Sequence, residues 1–229
     1  MIINIAQGSG PVNDSADVNI IIDVIRAFTT SHIAFKKGVE KIFLVNEVEK
    51  AFSLKKENPH LFLAGEIEAL PIPGFDFGNS PFEIQHTDQQ LAGSFFVQKT
   101  TNGVKAVLNN LNAKTILVTG FQSADVVVKY IQHISDVQRV NLIASHPTGD
   151  DDLACAEYIK GKLLTQAVET SVLLNRVRNC HAAQKFYSNP LFNPKDIELA
   201  AQIDQAADFV MKVHCDGGLP FIQKIDISE

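Results

Sequence analysis

The sequence of 229 residues predicts an α/β protein whose mostly parallel, mixed sheet is covered by helices on both faces. Short runs rich in β-branched residues alternate with longer helical stretches, and this alternation is typical of parallel strands joined by helices. Apolar residues make up 45% of the chain and charged residues 20%, a mix that favours a sizeable buried core. We expect residues 1–229 to form one domain, with two lobes as an alternative and a helical C-terminal part from about residue 165.

The first half of the chain supplies strands and helices in turn. Val18–Ile22 is short and rich in isoleucine and valine, which predicts a buried strand. Val24–Lys37 has helical character and stops at Gly38 after two lysines, a common way for a helix to end. We predict further strands at Lys41–Val45, Leu61–Ala64 and Ser94–Gln98, and further helices at Glu47–Lys56 and Asn102–Leu111.

The second half continues the alternation. Asp151–Leu164 carries apolar residues on one face, which predicts an amphipathic helix. After Thr165 we expect two or three helices and then two short strands at the edge of the sheet. The remaining predicted elements are strands at Thr115–Thr119, Val140–Ala144, Phe209–Val213 and Phe221–Ile225, and a helix at Ser123–His133.

One long segment interrupts this rhythm. Gly65–His86 is rich in proline and glycine, and loops of this length inside a domain are usually functional or disordered. Its leucine, isoleucine and phenylalanine content favours an ordered loop over a tether.

Composition excludes several classes of protein. The net charge of −6 and the absence of a basic stripe argue against nucleic-acid binding. We see no signal peptide, and no apolar run approaches the ~18 residues of a membrane span. Three cysteines without a Cys-x-x-Cys pair favour a reduced, cytoplasmic setting. The sequence leaves a homodimer open.

Polar segments follow five of the predicted strands. If all five strands are parallel, these segments share the carboxyl edge of one sheet, where open α/β sheets bind ligands. The segments are Asp23–Arg26, Gly65–Glu66, Thr100–Gly103, Gly120–Ser123 and Ser145–Asp152.

Each segment has a structural and a functional interpretation. Asp23 and the run Asp150–Asp152 are suited to capping helices or to complementing the positive end of a helix. In combination they fit a phosphate site better. The turn Thr100–Gly103 offers hydroxyl and backbone N–H donors, and Arg26 offers a charged fork for phosphate oxygens. Mg²⁺ prefers carboxylates, and the candidates are Asp23, Glu66, Asp151 and Asp152.

Five motifs in order resemble the 2-phosphosulfolactate phosphatase family. Ile22–Thr30 is similar to the family's Asp-Val-Leu-Arg-Ala-x-Thr-Thr opening, and Gly74–Pro81 is similar to its Gly-Phe-Asp-x-Gly-Asn-Ser-Pro signature. Gly65-Glu66, Thr100–Gly103 and Asp151-Asp152 match shorter motifs. Together they span about residues 20 to 160.

The resemblance implies a three-layer α/β/α, Mg²⁺-dependent acid phosphatase that acts on a small phosphorylated 2-hydroxy acid, and it points to the route to coenzyme M. With roles assigned by chemistry, we predict three groups of site residues. The catalytic residues are Asp23, Arg26 and Asp151; the substrate-binding residues are Arg26, Asn79, Ser80, Lys99, Thr100, Thr101, Asn102 and Gly103; and the metal ligands are Asp23, Glu66 and Asp152.

The chain also departs from the family pattern. The arginine after Gly-Glu is Ile67 here, and Lys99 stands in place of a threonine, where it could restore the lost positive charge. Ser123 replaces an asparagine, and Ala144–His146 replaces Cys-Ala-Gly. These changes fit a family member with another substrate. The alternatives are an inactive protein that binds small anions and a purely structural or partner-binding domain.

Overall fold

The computed structural model describes residues 1–215 and 217–227; positions 216, 228 and 229 of the predicted domain lie outside this part of the chain. Within it, ten strands form one mixed sheet. They are β1 (Ile2–Gln7), β2 (Val18–Ile22), β3 (Lys41–Leu44), β4 (Phe62–Ile67), β5 (Leu70–Pro71), β6 (Phe95–Lys99), β7 (Thr115–Thr119), β8 (Arg139–Ala144), β9 (Phe209–His214) and β10 (Phe221–Asp226).

Nine α-helices accompany the sheet in the same described residues, with one 3-10 turn at Phe121–Ser123. They are α1 (Ala27–Lys36), α2 (Val48–Glu57), α3 (Pro81–His86), α4 (Gly103–Asn109), α5 (Ala124–His133), α6 (Asp150–Leu163), α7 (Thr170–Asn179), α8 (His181–Ser188) and α9 (Lys195–Ala200). In this part of the chain, no helix has the length and apolar character that crossing a membrane requires.

The strand order is β1-β8-β2-β7-β9-β10-β3-β6-β4-β5. Two parallel sets, β1-β8-β2-β7 and β3-β6-β4, flank an antiparallel hairpin of β9 and β10. Our prediction that these two strands lie at the sheet edge is therefore wrong. Val210 and Met211 are neighbours in sequence and pack into cores on opposite faces, so β9 needs cover on both sides.

The hairpin also reverses the direction of the second parallel set. β9 is antiparallel to β7, β10 to β9, and β3 to β10, so β4 and β6 run opposite to β2. The prediction of one shared carboxyl edge must be corrected accordingly. Five strand-to-strand steps separate β2 from β6, and a twist of roughly 20–25° per step amounts to about 100–125°. This twist turns the carboxyl ends of the two sets toward each other.

Each face of the sheet carries its own core, which confirms the three-layer α/β/α architecture. Ile20 and Ile22 of β2 pack into a core with α5 and α6, whereas Ile21 packs with α1 and α4 on the other face. Alternate residues of a strand point to opposite faces, so a strand buried along its whole length must lie between two helix layers. Residues Ala27 to Phe35 of α1 are all buried.

Several boundaries differ from prediction in ways that shape the site. The predicted Val24–Lys37 helix begins only at Ala27, because the preceding turn contacts Asp151 and Asp152. The predicted loop Gly65–His86 contains β5 and α3. Three helices occupy the C-terminal helical part, within the predicted range of two or three. The edge strand β1 was not predicted.

Candidate active site

A cleft of about 460 Å³ opens where the carboxyl ends of β2, β4, β6 and β8 converge. One wall comes from α8. The lining residues are Asp23, Ile25, Arg26, Glu66, Glu68, Ala69, Asn79, Thr101, Asn102, His146, Pro147, Ala182, Lys185 and Phe186. The cleft thus joins segments that lie up to 163 positions apart in the sequence, from Asp23 to Phe186.

Asp23 lies on the inner side of this cleft. Its Oδ1 accepts a hydrogen bond from the Ala27 amide at 2.8 Å, and its Oδ2 accepts one from the Ser145 hydroxyl at 3.2 Å. Burial, together with the charges of Asp151 and Glu66, raises the pKa of this carboxyl to about 7. Asp23 therefore holds the first turn of α1 in place and also lines the cleft.

Gly103 allows α4 to begin directly against Asp23. A Cβ atom on Gly103 would lie 2.6 Å from Asp23 Oδ2 and 2.9 Å from the Ala27 side chain. Only a residue without a side chain permits this approach. Gly103 thus contributes to the site through its small size.

Asp151 and Asp152, at the start of α6, line a smaller adjoining cavity of about 120 Å³ that Asp23 also lines. Asp152 Oδ1 accepts from the Val24 amide at 2.7 Å, and its Oδ2 accepts from the Ser145 hydroxyl and the His146 amide, both at 3.1 Å. Asp151 Oδ2 accepts from the Ile25 amide at 3.2 Å. Burial raises the pKa of both carboxyls, to about 6 for Asp151.

Glu66 at the end of β4 is hydrogen-bonded to Thr101, which follows β6. Glu66 Oε1 accepts from the Thr101 amide at 2.5 Å, and Oε2 accepts from the Thr101 hydroxyl at 3.0 Å and the Ala69 amide at 2.6 Å. The donors of Thr101 that we predicted for phosphate binding are therefore committed to Glu66. Thr101 lines the cleft but holds a carboxylate in place.

Arg26 is buried and held from several sides. Its Nη1 donates to Asp196 Oδ2 at 2.9 Å, its Nη2 donates to the Ala69 carbonyl at 2.8 Å, and its guanidinium lies 4.7 Å from the Phe186 ring centre. A guanidinium has five N–H donors, so these two bonds leave donors for a ligand. Asp196 was not predicted, because α9 lies 170 positions from Arg26 and no local pattern links them.

Four predicted substrate-binding residues occupy different places. Asn79 lines the cleft, and its Oδ1 is buried without a hydrogen-bond partner among the described residues. Ser80 caps α3 and donates to Asp196 at 2.6 Å, away from the cleft. The Thr100 hydroxyl accepts from the Val104 amide, and Lys99 Nζ lies 3.4 Å from the Glu66 carbonyl. Neither Lys99 nor Thr100 lines the cleft, which corrects both placements.

The predicted three-carboxylate metal set must also be corrected. Within residues 1–215 and 217–227, no group of three or more His, Cys, Asp or Glu side chains is placed to hold a metal ion. Asp152 does not line the main cleft. Asp23 and Glu66 do fit a Mg²⁺ site, because ions of this kind need only one or two carboxylates, with waters and phosphate oxygens as the other ligands.

The charge of the cleft also suits a cation. Glu66, Glu68 and the partly ionised Asp23 oppose Arg26 and Lys185 in the lining, and Arg26 is already paired with Asp196. A phosphate dianion would meet net negative charge here. A divalent ion would reverse that balance.

Lys185 and Phe186 are among the lining residues that were not predicted from the sequence. They come from α8, and nothing in their local sequence signals a ligand site. His146 departs from the family pattern and was not predicted as a site residue, although it belongs to the polar segment Ser145–Asp152; it lines both cavities. A polar residue directly after a buried strand was the available signal.

Several departures from the family pattern lie outside the cleft. Ile67 is 46% exposed and is not part of the lining. The Ser123 hydroxyl is buried 2.8 Å from that of Thr119. Gly120–Ser123, predicted at the ligand edge, packs against α1 and α9; Gln122, for example, donates to the Leu199 carbonyl. Neither Ile67 nor Ser123 belongs to the cleft lining.

The fold and the cleft define an α/β protein with a small-ligand site at the carboxyl ends of its strands. The sequence model of the family described as 2-phosphosulpholactate phosphatase matches residues 6–229. The chain therefore belongs to the 2-phosphosulfolactate phosphatase family.

Individual relatives agree with this assignment. A probable 2-phosphosulfolactate phosphatase of Bacillus subtilis is 42% identical over 99% of this chain and 100% of the relative. One from Carboxydothermus hydrogenoformans is 34% identical over 64% of this chain and 60% of the relative. One from Thermoplasma volcanium is 28% identical over 88% and 92%, respectively.

Proposed function

We propose that the protein is a Mg²⁺-dependent phosphatase that hydrolyses the phosphate monoester of a small 2-hydroxy acid resembling 2-phosphosulfolactate. The family and the names of its relatives support a phosphoric monoester hydrolase. The observation that carries the proposal is the position of Asp23. Its carboxylate faces the cleft, keeps free lone pairs, is fixed by Ala27 and Ser145, and shares the cleft lining with Arg26.

Arg26 and Asn102 bind the phosphate in this proposal. The guanidinium is fixed by Asp196, by the Ala69 carbonyl and by the ring of Phe186, so little side-chain entropy is lost when it donates to phosphate oxygens. Asn102 lines both cavities and contributes amide donors. Asp23 and Glu66 hold Mg²⁺, which supplies neutralisation of phosphoryl charge when bound.

Asp151 is the proposed base for the attacking water. It lines the cavity of about 120 Å³ next to the cleft, a volume that holds a water molecule. Its pKa of about 6 leaves it mostly deprotonated at neutral pH and basic enough to accept a proton. Phosphorus bonds to the water oxygen and releases the ester oxygen, which takes a proton from solvent in the open cleft.

The test is phosphate release from 2-phosphosulfolactate and 2-phospholactate, with Mg²⁺ and with a chelator. We expect metal-dependent release, and we expect Asp23→Asn to lower kcat/KM by at least ~100-fold because charge stabilisation in the transition state is lost. Asp88→Asn is the matched control, since Asp88 is exposed and outside the cleft. Mg²⁺ should also raise the Tm of the wild type and not that of Asp23→Asn.

Phosphate release that is unchanged by the chelator, or full activity of Asp23→Asn, would contradict the proposal. No release from any ester, together with stabilisation by phosphate, would favour the inactive anion-binding protein. A cytoplasmic setting, a homodimer and a place on the route to coenzyme M stay predictions.

A further inference from the structure

One cation in the cleft has no role in the chemistry described so far. Lys185 of α8 is exposed and lines both the cleft and the adjoining cavity. It forms no ion pair with any residue in the described part of the chain. Arg26, in contrast, forms an ion pair with Asp196, in which Nη1 lies 2.9 Å from Oδ2. Lys185 is thus the cleft cation whose charge remains available to a ligand.

His146 places a second donor in the same two cavities. Its Nδ1 accepts a hydrogen bond from the Thr148 amide at 3.1 Å, so the neutral ring carries its proton on Nε2. Burial lowers the pKa of His146, and the nearby charges of Lys185 and His181 lower it further. The neutral ring, with Nε2–H as a donor, is therefore favoured, and Lys185 lines the same two cavities.

The family resemblance predicts a positive charge for the acid group of the substrate at position 67 or 99. Neither position places a cation in the cleft lining. Ile67, in place of the family's arginine, is apolar and points outside the lining. Lys99, the expected replacement, directs its ammonium toward the Glu66 carbonyl and does not line the cleft. A substrate with two anionic groups needs a second cation, and the cleft offers it on α8.

We propose that Lys185, together with Nε2–H of His146, binds the unesterified acid group of the substrate, a carboxylate or sulfonate. This inference rests on the proposed function and specifies its substrate class, a phosphate ester that bears a second, acidic group. Arg26 and Asn102 hold the phosphate, and α8 sets specificity through the acid. For an ester of the same shape without the acid group, Lys185 adds no binding affinity.

A matched pair of esters tests this subsite. 2-Phospholactate and isopropyl phosphate share the secondary phosphate ester, and they differ in that a carboxylate replaces a methyl group. We expect Lys185→Ala to raise KM for 2-phospholactate by roughly 10-fold or more, because a charge-assisted hydrogen bond is lost, with kcat nearly unchanged. KM for isopropyl phosphate should not change. Lys185→Arg should restore most of the affinity, and Lys129→Ala, an exposed lysine on α5, is the control.

An equal effect of Lys185→Ala on both esters, or none on 2-phospholactate, would overturn the subsite. A thermal-shift assay with the same two esters tests the subsite by binding alone and does not require that either ester is hydrolysed. If neither these esters nor 2-phosphosulfolactate is hydrolysed, the phosphatase proposal fails. The subsite still holds if 2-phospholactate stabilises the wild type more than isopropyl phosphate does and Lys185→Ala removes that difference. Equal stabilisation by both esters would overturn it.

Discussion

Replacing Gly103 with alanine would place a methyl group inside the contact between α4 and Asp23. The new Cβ would lie 2.6 Å from Asp23 Oδ2 and 2.9 Å from Ala27 Cβ. Comfortable separations between such atoms begin near ~3.5 Å, so the first contact is too close by roughly 0.9 Å. Neither neighbour can move outward freely, because Asp23 and Ala27 are both buried and joined by the hydrogen bond of 2.8 Å.

The expected magnitude follows from two opposing effects. Overpacking a well-packed interior costs about 1–3 kcal/mol. Alanine regains up to ~1 kcal/mol over glycine in a helix interior, and less at the first helical position. The net loss of about 1–2 kcal/mol corresponds to a fall in Tm of roughly 2–8 °C for a chain of this size. If the carboxylate of Asp23 moves by several tenths of an ångström, kcat should fall by about 10–100-fold.

Gly10→Ala is the matched control, since a Cβ atom there would meet nothing within 4 Å. Thermal denaturation and the kcat for 2-phospholactate would be compared for the two variants and the wild type. We expect both quantities to fall for Gly103→Ala and neither to fall for Gly10→Ala. Unchanged Tm and kcat in Gly103→Ala would contradict this prediction, because they would show that α4 can move away from Asp23 without loss of stability.

Two further predictions concern the buried charges. Asp196→Asn leaves the buried guanidinium of Arg26 without its anion, and we expect the free energy of unfolding to fall by about 3–5 kcal/mol. The measurement is denaturant unfolding, with Asp88→Asn as the control. A loss under ~1 kcal/mol would contradict this prediction. The raised pKa values, about 7 for Asp23 and about 6 for Asp151, mean that the folded chain binds more protons than the unfolded one between about pH 3.8 and pH 7. The resulting stabilisation is complete below pH 3.8 and is lost as pH rises through the folded pKa values, so Tm in chelator should fall between about pH 4 and pH 7. Asp151→Asn should show a smaller fall, and an equal fall would count against the buried carboxylate as its cause.

The local pattern was sufficient for much of the chain. The bounds of β2 and β7 were predicted to the residue, because short β-branched runs buried on both faces have no other stable arrangement. Polar residues that directly follow strands pointed to the cleft, and Asp23, Arg26, Glu66, Thr101 and Asn102 do line it. Alternation of strands and helices was enough to predict the three layers.

Roles within the site could not be read in the same way. Thr101 and Lys99 carry suitable donors at suitable positions, but the structure directs both of them to Glu66. Asp152 looked like a metal ligand and instead connects the β2–α1 turn to the end of β8 through Val24 and His146. A polar group can bind a ligand or a neighbouring segment of the chain. Which of the two it binds depends on the other donors and acceptors nearby in the fold, and their relative strength cannot be read from the sequence.

Most of the elements, the layers and the strand ends at which polar side chains cluster could be predicted from the sequence, because these depend on hydrophobic period and on residues close together in the chain. The central position of β9 and β10 in the sheet, the pairing of Asp196 with Arg26, and the place of Lys185 in the cleft lining became visible only in the folded chain. Each of these depends on contacts between segments far apart in the chain. Such contacts are selected by the burial and charge balance of the whole fold, which no local pattern records.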